Sequence, residues 1–549
     1  MNSFLEKNKY PQLLIAAIAA LFFIPFLGHL HLFDWDEINF AESAREMIAT
    51  GNYTQVQVNF LPFWEKPPLF FWFQSLSMQL FGVNEFAARF PNAICGIFTL
   101  LALYKIGKKY VNERFGFIWS LFYFGAFLPH LYFKSGIIDP VFNLFIFLGI
   151  FYLAETIRTE KKLATKNACL AGLFTGLAIL TKGPVGLLII LLTFLVYWAF
   201  NRFKRISTFK NIVLYALCTF AISFFWFGFE LIKNGPWFLI EFIEYQIALF
   251  SEPVAGHKQP LYYHFVVVFL GCFPMSILAI RSLSKKLVFN ENDQANFFKK
   301  WMVYLFWVVM ILFTIVTTKI VHYSSMAYLP LSFLAAWNLN LLLNKNQKPS
   351  LATNITNLVI GVLVSVLLIS LPLVITYKEV LIPYLKDDFA VASLGIDVHM
   401  YGWEFMIGIV YLFAVVMMFL LYQKKKLISA LLLGSFSTAV VLMLFNIFVV
   451  PKIERYSQGP AIEFYESIQG EDAYVTTVGF KSYAHLFYFK KPLPQNPLHA
   501  NNEWLKEGDI DKSVYFVVKI NRQSQINGYP DILKVGEKGG FAFYKRLPL

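Results

Sequence analysis

Charge is scarce in this sequence. Of 549 residues only 15% are Asp, Glu, Lys or Arg, against 57% hydrophobic and 18% aromatic, a balance that excludes an ordinary soluble enzyme and fits an integral membrane protein. Cysteine is scarcer still. Cys95, Cys169, Cys218 and Cys272 lie in apolar runs without CxxC spacing, which argues against a disulfide framework or a cysteine metal site and for small buried hydrophobes. No glycine-rich phosphate loop occurs, so no nucleotide is expected. The chain has no tandem repeat, and its apolar runs do not divide into two similar halves, which argues against a transporter built from repeats. The first apolar run, residues 11–30, lacks a small-residue cleavage site after it and is read as a retained span.

What is present is a long series of such runs. Further spans are expected at 88–109, 115–133, 138–156, 168–181, 183–201, 211–232, 261–281, 300–318, 323–343, 354–377, 401–422 and 427–450, thirteen in all. Lys plus Arg exceed Asp plus Glu by 47 − 34 = 13. The excess falls in alternate loops, among them Lys105 to Arg114, Arg158 to Lys166, Arg202 to Lys210, Arg281 to Lys300 and Lys424 to Lys426. That pattern puts the N-terminus in the cytoplasm and the loops of the other parity outside, and it accounts for the positive charge without a nucleic-acid partner.

The first external loop, residues 31–87, holds the densest polar chemistry. FDWDEINFAESAREM opens it with Asp34, Asp36 and Glu37, and EKPP closes its polar part with Glu65 and Lys66. Between them residues 41–49 read as a short helix with Ala41, Ala44 and Ile48 on one face, too short to cross and therefore lying flat. An acidic loop after a first span is commonly just solvated. Other ionisable groups gather at the same outer ends: Asp139 in SGIIDPVF, which could equally be the N-cap of its helix before Pro140; Lys182 in LTKGPVG; His257, Lys258, Tyr262, Tyr263 and His264 in GHKQPLYYH; and Lys319, His322 and Tyr323 in TTKIVHYSSMAYLP.

In order and topology these turns resemble the aminoarabinose transferase and protein mannosyltransferase group of GT-C glycosyltransferases. The likeness rests on DE with AESAREM, EKPP, GHKQPLYY and the TKxxxY turn. Where many aminoarabinose transferases carry Arg-Tyr after the acidic pair, this chain has Asn39 and Phe40. The resemblance implies a GT-C fold of about thirteen transmembrane helices and an inverting transfer of a sugar from a polyprenyl phosphate to lipid A, a glycan or a protein hydroxyl. Asp36 would sit nearest the acceptor, with Glu37 in the same acidic group, while Asp139 helps place substrate. Glu65 and His257 would bind a divalent ion, zinc by analogy. Physical chemistry asks independently for cations to hold the leaving phosphate, and Lys66, Lys182 and Lys319 are external, with Tyr323 as an added donor. Asp36 could serve as base toward a hydroxyl.

After Pro451 the composition becomes that of a soluble domain. Residues 462–468 read as a helix and 473–480, 513–520 and 541–547 as strands, giving a small extracytoplasmic α/β domain over 451–549 that covers or steers access to a membrane domain over 1–450. A rival reading is a transporter or flippase of lipid-linked sugars, but transporters place ionisable groups near mid-membrane. In a Gram-negative cell the setting would be the inner membrane, with the loops of interest in the periplasm.

Overall fold

The structure, a computed structural model, describes residues 10–252, 259–283 and 292–548. His257 and Lys258, and Lys285 and Lys286 of the basic series, lie outside them. All thirteen expected spans fall on helix, in three different forms. Nine helices among the described residues are individually long and apolar enough to cross a membrane. The 261–281 run is a pair, Tyr263–Gly271 and Met275–Leu283, bent by 113°, and the 115–133 run breaks into Glu113–Phe124 and Phe127–Tyr132. Pro11–Phe23 and Val185–Phe200 are shorter apolar helices. The first ends well before residue 30. There the Lys134 ammonium donates to the carbonyls of Phe22, Phe23 and Pro25 at 3.0, 3.3 and 2.7 Å, closing a helix end whose last carbonyls have no partner of their own.

The first external loop is more ordered than its polarity implies. Its helix runs Asp36–Thr50, starting five residues earlier than expected because Asp36 and Glu37 occupy the first turn, where the helix dipole favours carboxylates. It stops at Gly51, whose φ of 67° suits glycine. A two-residue hairpin follows, β1 (Gln57–Val58) and β2 (Leu61–Pro62), and then an unexpected helix, Leu69–Phe81. The two loop helices pack through Phe40 against Phe70 and Phe71.

Residues 459–548 form the C-terminal unit. β3 (Ala473–Val478), β4 (Ser513–Lys519), β5 (Ile532–Lys538) and β6 (Phe541–Arg546) make one sheet in the order β3-β4-β6-β5, with β3 and β4 parallel and the other pairs antiparallel. β5 was not expected: ILKVGEK is a mostly exposed edge strand with three charges, so no alternating apolar face announces it. The expected Ala41–Ala44 face of the loop helix does not rest on the membrane surface. It shares a buried core with Ile462, Tyr465 and Phe487 of this unit. Further clamps run from Tyr488 Oη, which accepts from Leu32 N at 2.6 Å, and from Gln458, which donates to Leu32 O at 2.8 Å.

One buried ion pair fixes the loop to the spans. Arg89 donates from Nε and Nη2 to Glu37 at 3.0 and 2.8 Å, and its remaining donors reach the carbonyls of Leu27, Leu30 and His31 at 2.8, 2.8 and 2.9 Å. Every guanidinium hydrogen thus has an acceptor. Glu37 also accepts from the amides of Phe33, at 2.9 Å, and Gly136. Burial alone would raise the Glu37 pKa, but Arg89 and these donors outweigh it and hold the carboxyl below its ordinary range. Arg89→Met leaves Glu37 buried without its cation, so a loss of about 3–5 kcal/mol is expected, read as a lowered Tm of the purified protein in detergent.

Candidate active site

Because Glu37 holds the Gly136 amide, the residue before it on the loop helix is brought toward the residue that begins the next span, Asp139. Between them stands His322, with Nε2 3.4 Å from Asp36 Oδ2 and 3.8 Å from Asp139 Oδ2. His322 belongs to a short 3₁₀ segment, Val321–Ala327, whose tight winding turns both its ring and that of Tyr323 to this side. Asp139 is no N-cap. It is itself the first helical residue, and its Oδ1 accepts from Lys182 at 2.6 Å.

Lys182 ends its helix, a favourable place for a cation. The chain then turns through Gly183, which only a glycine suits, since its φ is 94° and a Cβ there would lie 2.5 Å from the Phe242 ring. The ammonium lies 5.2 Å from the Tyr323 ring centroid and 5.8 Å from that of Phe142. Lys66, held against Pro67-Pro68, faces the same space: its ammonium is 3.9 Å from Glu65 Oε2 and 5.1 Å from the Tyr245 ring centroid. Burial pulls the Lys66 pKa below its ordinary value, Glu65 opposes this, and the nearby Lys182 adds to the depression. Lys66, Asp139, Lys182, Gln246 and Tyr323 line one small cavity of about 50 Å³.

The outer rim comes from the C-terminal unit. The Asp34 carboxylate is bonded by Ser482 and by the Tyr483 amide, and burial nonetheless lifts its pKa above the ordinary range. Trp35 packs edge-on against Tyr483 at 5.0 Å, with the Lys481 ammonium 4.5 Å from the Trp35 ring centroid.

Asp36, Asp139, Lys66, Lys182, Tyr323 and Glu65 therefore converge. Two expected residues do not join them. Glu37 is committed to Arg89 and two amides, which makes it an anchor and not a reacting carboxylate. Lys319 is buried with its ammonium on the Val316 carbonyl at 2.7 Å, at the C-terminal end of the Asp293–Ile315 helix. For the expected metal pair, Glu65 is engaged by Lys66 and by the Tyr245 hydroxyl, while His257 lies outside the described residues. Among the described residues no three or more His, Cys, Asp and Glu side chains are grouped to hold an ion, and the zinc expectation finds no support there.

His322 and Tyr245 were missed as site residues. Tyr245 belongs to Trp237–Ser251, a helix in a segment expected as loop. Its signal was legible as the spacing Phe238, Phe242, Tyr245, Leu249.

Comparison with known proteins adds three findings. Residues 65–227 match the family model for dolichyl-phosphate-mannose-protein mannosyltransferase. The undecaprenyl phosphate-alpha-4-amino-4-deoxy-L-arabinose arabinosyl transferase of Wigglesworthia glossinidia brevipalpis is 28% identical over 389 residues, 69% of this chain and 66% of that protein. The protein of the same description from Photorhabdus laumondii is 26% identical over 398 residues, 69% of this chain and 70% of that one. The match thus spans about two thirds of these relatives' own length. The crystal structure of ArnT from Cupriavidus metallidurans bound to undecaprenyl phosphate superposes over 97% of both chains with a TM-score of 0.76 at 17% identity, and its apo form with 0.73. This multi-pass membrane chain is thus similar in sequence to these arabinosyl transferases over about two thirds of its length, and it shares the fold of the ArnT structures over nearly all of it.

Proposed function

We propose that the chain is an integral-membrane glycosyltransferase that moves a sugar from undecaprenyl phosphate to an extracytoplasmic acceptor, a lipid A, glycan or protein group. The observation that carries this reading is the meeting of Lys66, Lys182 and Asp139 in one pocket, with Asp36 joined to Asp139 through His322. Breaking the bond between the sugar and its lipid phosphate leaves charge on the departing oxygens. Two fixed ammoniums in a largely buried site stabilise that charge far better than water does. Asp36, exposed by about a third, stands where an acceptor would enter. An inverting displacement needs no other arrangement: acceptor on the Asp36 side, phosphate on the lysine side, anomeric carbon between.

The lipid needs an apolar path. A groove of about 500 Å³, lined by Ile179, Leu187, Leu191, Phe194 and Phe220, lies among the helices Asp139–Arg158, Lys161–Lys182, Val185–Phe200 and Phe209–Asn234, which supports a long-chain ligand. The loop charges support a cytoplasmic N-terminus and an inner-membrane setting, with the pocket and the C-terminal unit in the periplasm. Residues 1–450 would then be the transferase domain and 451–549 a periplasmic cover.

Purified protein in detergent, where no two sides exist for transport, is expected to transfer sugar from the lipid phosphate. Asp36→Asn and Lys66→Ala should each lower transfer by at least about 100-fold, with expression and membrane insertion unchanged; full activity in either removes the assignment. The depressed Lys66 pKa fixes a second outcome. The ammonium that attracts phosphate is present at low pH and is lost as pH rises through a value below that of an ordinary lysine. Undecaprenyl phosphate binding should therefore weaken on the alkaline side, and Lys66→Arg should abolish that weakening in a binding titration.

A further inference from the structure

The acceptor's chemistry follows from counting charge around the pocket. Asp36, Asp139 and Glu65 bring three negative charges and Lys66 and Lys182 two positive ones, so with a neutral His322 the described groups sum to 2 − 3 = −1. At the rim Lys481 and Asp34 add one charge of each sign and leave the sum unchanged, and Lys319 directs its ammonium to the Val316 carbonyl. A donor phosphodiester adds one more negative charge, which the two lysines can meet. A phosphate acceptor would bring a further one or two negative charges against Asp36 and Asp139, in surroundings where like charges repel more strongly than in water. A hydroxyl brings none.

A hydroxyl needs something that a phosphate does not, a group to take its proton. The structure assigns that role to Asp36 backed by His322. We infer that the acceptor atom is a neutral hydroxyl oxygen and that His322, bridging Asp36 and Asp139, is the positioning residue that holds Asp36 to receive its proton. This rests on the glycosyl transfer proposed above.

The imidazole is well placed for this. It is largely buried, its Nε2 faces both carboxylates, and its ring meets that of Tyr323 edge-on at 5.3 Å. Tyr323 in turn lies beneath the Lys182 ammonium. Asp139 Oδ1 is taken by Lys182, whereas Oδ2 is buried without a hydrogen-bond donor, so the neutral imidazole has a carboxylate oxygen on either side of Nε2. In the step itself the acceptor oxygen bonds to the anomeric carbon as its proton passes to the Asp36 carboxylate. The bond from that carbon to the phosphate oxygen breaks, and its electron pair leaves with the polyprenyl phosphate, which Lys66 and Lys182 hold.

The test supplies purified protein with an undecaprenyl-phosphate-linked sugar and a glycolipid acceptor, either phosphorylated or enzymatically dephosphorylated. Transfer to both forms is expected, with a product that resists the mild acid that cleaves glycosyl phosphates. A product formed only on the phosphorylated acceptor, and acid-labile, overturns the inference. His322→Ala should lower kcat about 100-fold with the donor KM unchanged, and His322→Gln, which keeps a donor to Asp36, should recover part of the loss. A raised donor KM at unchanged kcat overturns the role given to His322. Failure of undecaprenyl phosphate to bind the unaltered protein would instead remove the transferase reading itself, so the two failures are distinguishable.

Discussion

A glutamate and an arginine buried together organise the end of the helices that carries the candidate site. Glu37 and Arg89 are each almost wholly inaccessible, and a charge so placed is tolerable only when paired and fully hydrogen-bonded. That requirement draws in the carbonyls of residues 27, 30 and 31 and the amides of residues 33 and 136. The turn after the first span, the start of the loop helix and the approach to Asp139 are thereby held at one point. The carboxylates of Asp36 and Asp139 lie close to this anchor in sequence, and their mutual distance is inherited from it.

Asp36 and Glu37 are adjacent acids at the start of one helix, and composition could not tell them apart. Successive helical residues point about 100° apart, so one faces the pocket and the other faces Arg89, a partner fifty-two positions away that no local pattern reveals. Asp139, Lys66, Lys182 and Tyr323 were legible because each stands at an outer helix end or tight turn where a charged residue in an apolar chain needs a reason. Lys319 met the same criterion and still turned to a helix-end carbonyl, because the 3₁₀ segment beginning at Val321 presents His322 and Tyr323 to the pocket. The spans were readable from apolar run length alone. The breaks within two of them were not, since a bent pair and a straight helix have the same composition.

Electrostatics divides the site into two sides. Lys182 is neutralised in part by Asp139 and Lys66 in part by Glu65, so neither cation stands alone in an apolar surrounding, and each remains near aromatic rings that disturb its charge little. In the proposed transfer a ligand phosphate would meet ammoniums already oriented, the cost of ordering them having been met in folding.

The clamp between the first loop and the C-terminal unit joins positions very far apart in the chain. Leu32 binds Tyr488 and Gln458, and Asn59 binds Lys491. During synthesis, Asp36, Lys66 and Lys182 emerge long before the residues that secure the first loop exist. The pocket is therefore among the last parts of the molecule to be completed, and a nascent polypeptide stalled in mid-insertion displays these side chains without the frame that aligns them.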